Sequence, residues 1–215
     1  MPTNFELENL RLDYGRMGLL EHELDPDPLR QFQKWLGDAV EHDLIEPNAM
    51  TIATVDAEGQ PWTRTVLLKA CDERGFSFFT NYASAKGRHL DREPRCALTF
   101  WWGALERQVN VTGRAGKVTR AETEAYFPKR PLGSRLGAWA SQQSEAIASR
   151  EALEQAHEAA RARFGDNPPA PEHWGGYIVR PATVEFWQGR ESRLHDRLRY
   201  TLQTGGSWKI ERLAP

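Results

Sequence analysis

The sequence predicts a mainly β chain: an antiparallel barrel with helices added around it. Three observations carry this. About nine short segments read as strands, against four or five that read as helices. Hairpin-type turns, not crossover helices, join most of the strands. Strand–helix–strand alternation is missing, as are a GxGxxG fingerprint and a Walker loop, which argues against a doubly wound nucleotide-binding sheet.

Residues 1–25 are polar, with a break at Tyr14-Gly15, and read as an arm; residues 26–215 read as one domain. Asp27-Pro28 opens a helix, with Asp as N-cap and Pro in the first turn. Leu29, Phe32, Leu36, Ala39 and Val40 recur at helical spacing and predict its inward face. Strands follow at Ala49–Val55, Pro61–Ala70 and Phe76–Thr80, separated by Asp56-Ala57-Glu58-Gly59 and Cys71-Asp72-Glu73-Arg74-Gly75. A short helix spans Ser84–Arg92, stopped before Pro94. Arg95–Trp102 and Glu106–Val118 are further strands, the second with a bend expected at Gly113 or Gly116. Thr119-Arg120-Ala121-Glu122 is a capping box, starting a helix that Pro128 and Pro131 break. Ser149–Phe164 is helical, and Gly165–Pro171 is a loop. The end returns to strands at Gly176–Arg180, Thr183–Gln188, Leu194–Leu202 and Ser207–Leu213, with Gly205-Gly206 as the last turn.

Composition narrows the function classes. Lys plus Arg is 28 and Asp plus Glu is 30, so a net charge of -2 offers no global attraction to nucleic acid or acidic membranes. Any anion site is therefore local. The two cysteines make no disulfide framework and share no metal-ligand spacing with histidine, so no metal is expected. No apolar run is long enough for a membrane span, and the polar start carries no apolar core of a leader. A cytoplasmic location is the expectation. Eight tryptophans suit a core, although Trp187, between Phe186 and Gln188, also suits a ligand pocket.

Donors for anions recur along the chain. In Arg193-Leu194-His195-Asp196-Arg197, strand parity would put Arg193, His195 and Arg197 on one face, suited to a planar anion. A solvated face paired with acids such as Glu191 explains the same spacing. Arg64 and Lys69 flank a β segment but point to opposite faces of an ideal strand. Ser84-Ala85-Lys86-Gly87 opens a helix whose amides, with Lys86, could cradle a phosphate. Tyr126, Arg130 and Ser134 offer phenol, guanidinium and hydroxyl around a Pro-rich break. Gln142-Gln143-Ser144 adds uncharged donors. Without a nucleophile triad, a carboxylate dyad or a metal cluster, the pattern points to a phosphorylated cofactor that brings the chemistry.

Arg64-Thr65-Val66-Leu67-Leu68-Lys69, Leu105-Glu106-Arg107-Gln108-Val109, Trp174-Gly175-Gly176, Glu185-Phe186-Trp187-Gln188-Gly189, Arg193-Leu194-His195-Asp196-Arg197 and the closing Arg212-Leu213-Ala214-Pro215 resemble the pyridoxamine 5'-phosphate oxidase family, in order, from about Leu10 onward. The resemblance implies an FMN-binding split β-barrel of Greek-key type, spanning 26–215, with the 1–25 arm as a substrate lid. It also implies a homodimer with FMN at the interface, and oxidation of pyridoxamine and pyridoxine 5'-phosphates to pyridoxal 5'-phosphate with O2 as acceptor.

By resemblance, Arg64, Lys86, Gln143 and Ser144 hold the FMN phosphate and ribityl chain, while Val66, Leu67, Leu68, Lys69 and Thr80 lie along the flavin. Gln108, Trp187 and Arg197 contact its rings. Lys69, Tyr126, Arg130 and Ser134 bind the substrate phosphate, Arg11 and Tyr14 belong to the lid, and Arg193 and His195 are the catalytic pair that places the pyridine. Two positions depart from the family pattern: Ala85 replaces an arginine, and Glu46 a shorter acid. Two alternatives remain open, a related flavin oxidase acting on another aromatic substrate and a non-enzymatic carrier of FMN or pyridoxal phosphate.

Overall fold

Side-chain caps set the helix starts. The Asp27 side chain accepts from the Leu29 amide at the head of α1 (Pro28–Glu41). Ser84 caps α2 (Ala85–Arg92), and Ser149 caps α5 (Arg150–Phe164). Thr119 and Glu122 close a reciprocal capping box on α3 (Arg120–Tyr126). One helix was not foreseen. The stretch around Pro131 is no simple loop, because Pro131 is the N-cap of α4 (Leu132–Ala140), where its lost N–H costs nothing.

The computed structural model describes residues 14, 15 and 17–215. Among them nine strands form one sheet: β1 (Ala49–Val55), β2 (Pro61–Leu67), β3 (Ala70–Asp72), β4 (Gly75–Asn81), β5 (Arg95–Trp102), β6 (Arg107–Lys117), β7 (Trp174–Gln188), β8 (Asp196–Leu202) and β9 (Trp208–Arg212). The order is β2-β1-β5-β6-β7-β4-β3, with β8 between β7 and β9. The ladders β1–β2, β1–β5, β3–β4, β4–β7, β7–β8 and β8–β9 are antiparallel. The sheet does not close, and helices hold nearly as many residues as strands.

Three local expectations change. The strand expected over Pro61–Ala70 stops at Leu67. There the chain switches partner: the Leu68 amide donates to Asn48 O at 2.8 Å, and the Lys69 amide to Ser77 O at 2.8 Å. The two strands expected at 176–180 and 183–188 are one. Pro181 lies between the β4 ladder, which ends at Val179, and the β8 ladder, which starts at Thr183. Gly113 lies inside the unbroken strand β6. A Cβ there would collide with the backbone of Arg180, so the glycine permits close approach of two strands. On α1, Trp35 joins the inward face and Val40 is 58% exposed.

Packing divides the chain into two units. The first gathers the described residues up to Pro47 with Phe100–Asn110 and Thr183–Pro215. Its core sets Phe32 against Phe100 and Trp35 edge-on to Phe186. Arg107, nearly buried, is satisfied by Asp38 at 2.6 Å, by Gln188 at 3.0 Å and by the Trp35 face. The second unit is Asn48–Thr99 with Val111–Ala182. Phe76, Phe78, Leu98, Val111 and Tyr177 are buried there. Not every tryptophan is core: Trp62 and Trp101 are each 52% exposed.

Candidate functional site

In the second unit, a polar cluster forms where β4 meets α2. Ser84 ends the β4 turn and caps α2, which turns Lys86 inward. Lys86 is only 6% exposed. Its ammonium donates to Thr80 Oγ1 and to Ser84 Oγ, each at 3.2 Å, and pairs with no carboxylate among the described residues. Burial, and then the nearby Arg64 guanidinium, push its pKa down to about 8. Thr80 in turn donates to Gln143 Oε1 at 3.1 Å. Arg64, on β2, donates through Nη1 to Thr54 Oγ1 at 2.5 Å, and burial lowers its pKa. Thus Arg64, Thr80, Lys86 and Gln143 come together. Ser144 is exposed beside them in sequence and holds a left-handed backbone, φ 77°. A buried ammonium with only hydroxyl partners, next to a guanidinium, is an incomplete charge arrangement that an anion completes.

Ala85 is the first residue of α2 and brings no cation. Arg88, one turn along, bonds through Nη1 to Ala83 O at 2.6 Å and to Glu145 at 2.8 Å. Leu68 is buried, Val66 and Leu67 are half-buried on β2, and Lys69 is exposed just past the strand break.

A second cluster in the same unit is aromatic and cationic. Tyr126, the last residue of α3, stacks on Phe79 at 4.1 Å and lies parallel to Trp174 at 6.3 Å. Arg130 follows the turn at Phe127–Lys129 and lies over Trp174, 4.5 Å from the ring centre. Burial lowers the Arg130 pKa and raises that of Tyr126. Arg130 Nη1 is buried and has no hydrogen-bond partner among the described residues. An orphaned guanidinium donor of this kind suits a phosphate oxygen. Ser134 is exposed on the first turn of α4.

In the first unit, Trp187 on β7 lies 4.6 Å from the His195 ring, and Tyr14 meets both edge-on at 5.8 and 5.9 Å. The Arg190 amide donates to His195 Nδ1 at 3.1 Å. The neutral ring therefore carries its hydrogen on Nε2, and burial followed by Arg193 lowers its pKa. Arg197 on β8 is held by Glu185 at 2.9 Å and by Ala214 O at 3.0 Å. Gln108 is half-buried on β6. Gly15, Met17, Gly18, Arg190, Glu191, Ser192 and Leu194 line a cleft of about 480 Å³.

The expected strand face of Arg193, His195 and Arg197 does not form. Ser192 and Arg193 take left-handed backbone, φ 54° and 61°, so β8 begins only at Asp196. Arg193 is exposed and His195 half-buried on the approach to the strand. Glu46 is exposed with φ 46°. Arg11 lies outside the described residues. Sequence reasoning missed Thr54, His89, Phe79 and Glu185, which read as ordinary strand and helix positions.

Two family descriptions match. Residues 36–164 match "Pyridoxamine 5'-phosphate oxidase", and residues 174–215 match "Pyridoxine 5'-phosphate oxidase C-terminal dimerisation region". A pyridoxine/pyridoxamine 5'-phosphate oxidase of Cupriavidus necator is 56% identical over 210 residues, 98% of this chain and 99% of that protein. A protein of the same name from Thermosynechococcus vestitus is 56% identical over 209 residues, 97% of this chain and 99% of that protein. Among solved structures, PhzG of Burkholderia lata, bound to tetrahydrophenazine-1-carboxylic acid, superposes with a TM-score of 0.86 at 29% identity, covering 92% of this chain and 98% of its own. An FMN-binding protein of Nostoc punctiforme at 17% identity, TM-score 0.70, covering 93% of this chain and 100% of its own, shares the fold. The two matched regions, with full-length identity above half, make this chain a member of the pyridoxamine 5'-phosphate oxidase family.

Proposed function

We propose that this chain carries the activity for which its relatives are named: FMN-dependent oxidation of pyridoxamine and pyridoxine 5'-phosphates to pyridoxal 5'-phosphate, with O2 as acceptor and H2O2 as product. It works as a homodimer with FMN at the interface. A cytoplasmic site of action fits its two free cysteines, and no described helix is long and apolar enough to cross a membrane.

The observation that carries the reading is buried Lys86, which has hydroxyl partners and, among the described residues, no counter-ion. With Arg64, Thr80, Gln143 and Ser144, it holds the FMN phosphate and ribityl chain. Val66, Leu67, Leu68 and Lys69 line the flavin, and Gln108, Trp187 and Arg197 contact its rings. Bound FMN supplies hydride acceptance from the substrate 4' carbon and electron transfer to O2.

The chain's own part is binding and orientation. Arg130 offers its unpartnered Nη1 to the substrate phosphate, with Tyr126, Ser134 and Lys69 around it. Arg193 and His195 place the pyridine, and neutral His195 presents Nε2–H as a donor. Tyr14 packs beside His195 and Trp187, which suits a place over the substrate. A phosphate-free aromatic substrate leaves Arg130 Nη1 without a purpose, and a pure carrier role leaves Arg193 and His195 without one. In a fluorescence titration, flavin-free protein is expected to quench about one FMN per chain. Protein that leaves FMN fluorescence unchanged would refute the reading.

A further inference from the structure

Arg64 reaches the anion cluster through a two-residue support. Its protein hydrogen bonds use Nη1, to Thr54 Oγ1 at 2.5 Å and Trp62 O at 3.3 Å, which leaves Nε and Nη2 for a ligand. Thr54 is on β1 and 1% exposed. Its hydroxyl oxygen also lies 3.0 Å from Nδ1 of His89 on α2.

Donor counting gives this chain one direction in which the Thr54 hydrogen is also satisfied. A guanidinium only donates, so the Thr54 oxygen accepts from Arg64. The single Thr54 hydrogen is then satisfied if His89 Nδ1 accepts it, which requires a neutral ring with its hydrogen on Nε2. A protonated His89 would turn Nδ1 into a donor. The Thr54 oxygen would then face two donors, and its own hydrogen would lose its acceptor.

We infer that Thr54 and His89 are positioning residues of the phosphate cradle: neutral His89 takes the Thr54 hydroxyl hydrogen, and so turns the Thr54 oxygen to hold Arg64 for the phosphate. This rests on the FMN reading given above. The charges around His89 agree with it. Burial, Arg64 from β2 and Arg88 from α2 favour the neutral ring, against Asp56 and Glu58 in the β1–β2 turn.

The test is a pair of titrations on the full-length, flavin-free chain, one with FMN and one with riboflavin, which lacks the phosphate. Thr54→Val keeps the shape and removes the hydroxyl. It is expected to weaken FMN about tenfold and to leave riboflavin unchanged. Thr54→Ser is expected to restore the affinity. His89→Phe is expected to give the same selective loss, which covers a failure of the valine variant to fold. His89→Asn, an acceptor that does not titrate, is expected to bind FMN like wild type at pH about 7.5 and to lose less affinity than wild type below pH about 6. The phosphate's own titration is common to both proteins and cancels. Equal FMN affinity for wild type and Thr54→Val, or equal losses for FMN and riboflavin, would overturn the inference alone. A wild-type chain that ignores FMN would overturn the cofactor reading with it.

Discussion

Lys86→Met is expected to weaken FMN binding by about 10- to 100-fold while making the flavin-free protein more stable. The two effects have opposite signs because Lys86 is a buried cation with no counter-ion among the described residues. A charge-assisted bond to phosphate contributes roughly 1.5–3 kcal/mol, which sets the expected loss. In the absence of the phosphate, burial and Arg64 hold the pKa down to about 8. The unfolded chain, with an ordinary lysine, binds more protons than the folded one above that value. The charged side chain therefore costs stability below pH about 8, and the cost fades as pH rises toward the ordinary lysine range. Methionine removes it, so the gain is full near neutrality and shrinks in alkali. FMN affinity of the wild type should likewise fall above pH about 8, where binding must first return a proton to Lys86. Calorimetric melting of both apoproteins, with FMN titrations across alkaline pH, measures each part. A methionine variant that binds FMN normally would remove Lys86 from the phosphate site.

Arg130→Ala is expected to raise KM for pyridoxine 5'-phosphate about 100-fold, with FMN affinity unchanged. The orphaned Nη1 and the Trp174 face beneath the guanidinium give the reason. The donor is buried, aimed and unpaired, so a phosphate gains the bond without breaking another. Turnover at saturating substrate should change much less. Arg130→Lys should not rescue, because an ammonium cannot stack flat on Trp174 while donating two parallel bonds. Steady-state kinetics on pyridoxine with and without its phosphate separates the effects: only the phosphorylated substrate should suffer. A similar loss for both would place Arg130 in general structural support.

Most of the local structure was legible because it follows short-range rules. The Asp27 and Ser84 caps, the Thr119–Glu122 box and the Gly205-Gly206 turn are each set by neighbours within a few residues. Two of the misreadings involve distant partners. Pro181 looked like a strand break, but it falls between two ladders that do not need its missing amide. Lys69 looked like strand, but its amide pairs with Ser77 after the chain changes partner. Parity failed at 193–197 because positive φ at Ser192 and Arg193 precedes the strand.

The site divides in the same way. Lys86, Arg130 and Trp187 stood out by chemistry, and family resemblance supplied their proposed roles. Thr54 and His89 are 35 residues apart and join only when β1 packs by α2, which no spacing rule shows. Glu185 reads as one strand residue among many until its bond to Arg197 is seen.

An oxygen-electrode assay of the FMN-loaded chain bears on the whole proposal. With pyridoxine 5'-phosphate, O2 uptake should match the pyridoxal 5'-phosphate and H2O2 formed. With pyridoxamine 5'-phosphate, the same balance should hold, with ammonia released in equal amount after imine hydrolysis. No O2 uptake with either phosphate, or oxidation only of a phosphate-free phenazine-type carboxylic acid, would contradict it.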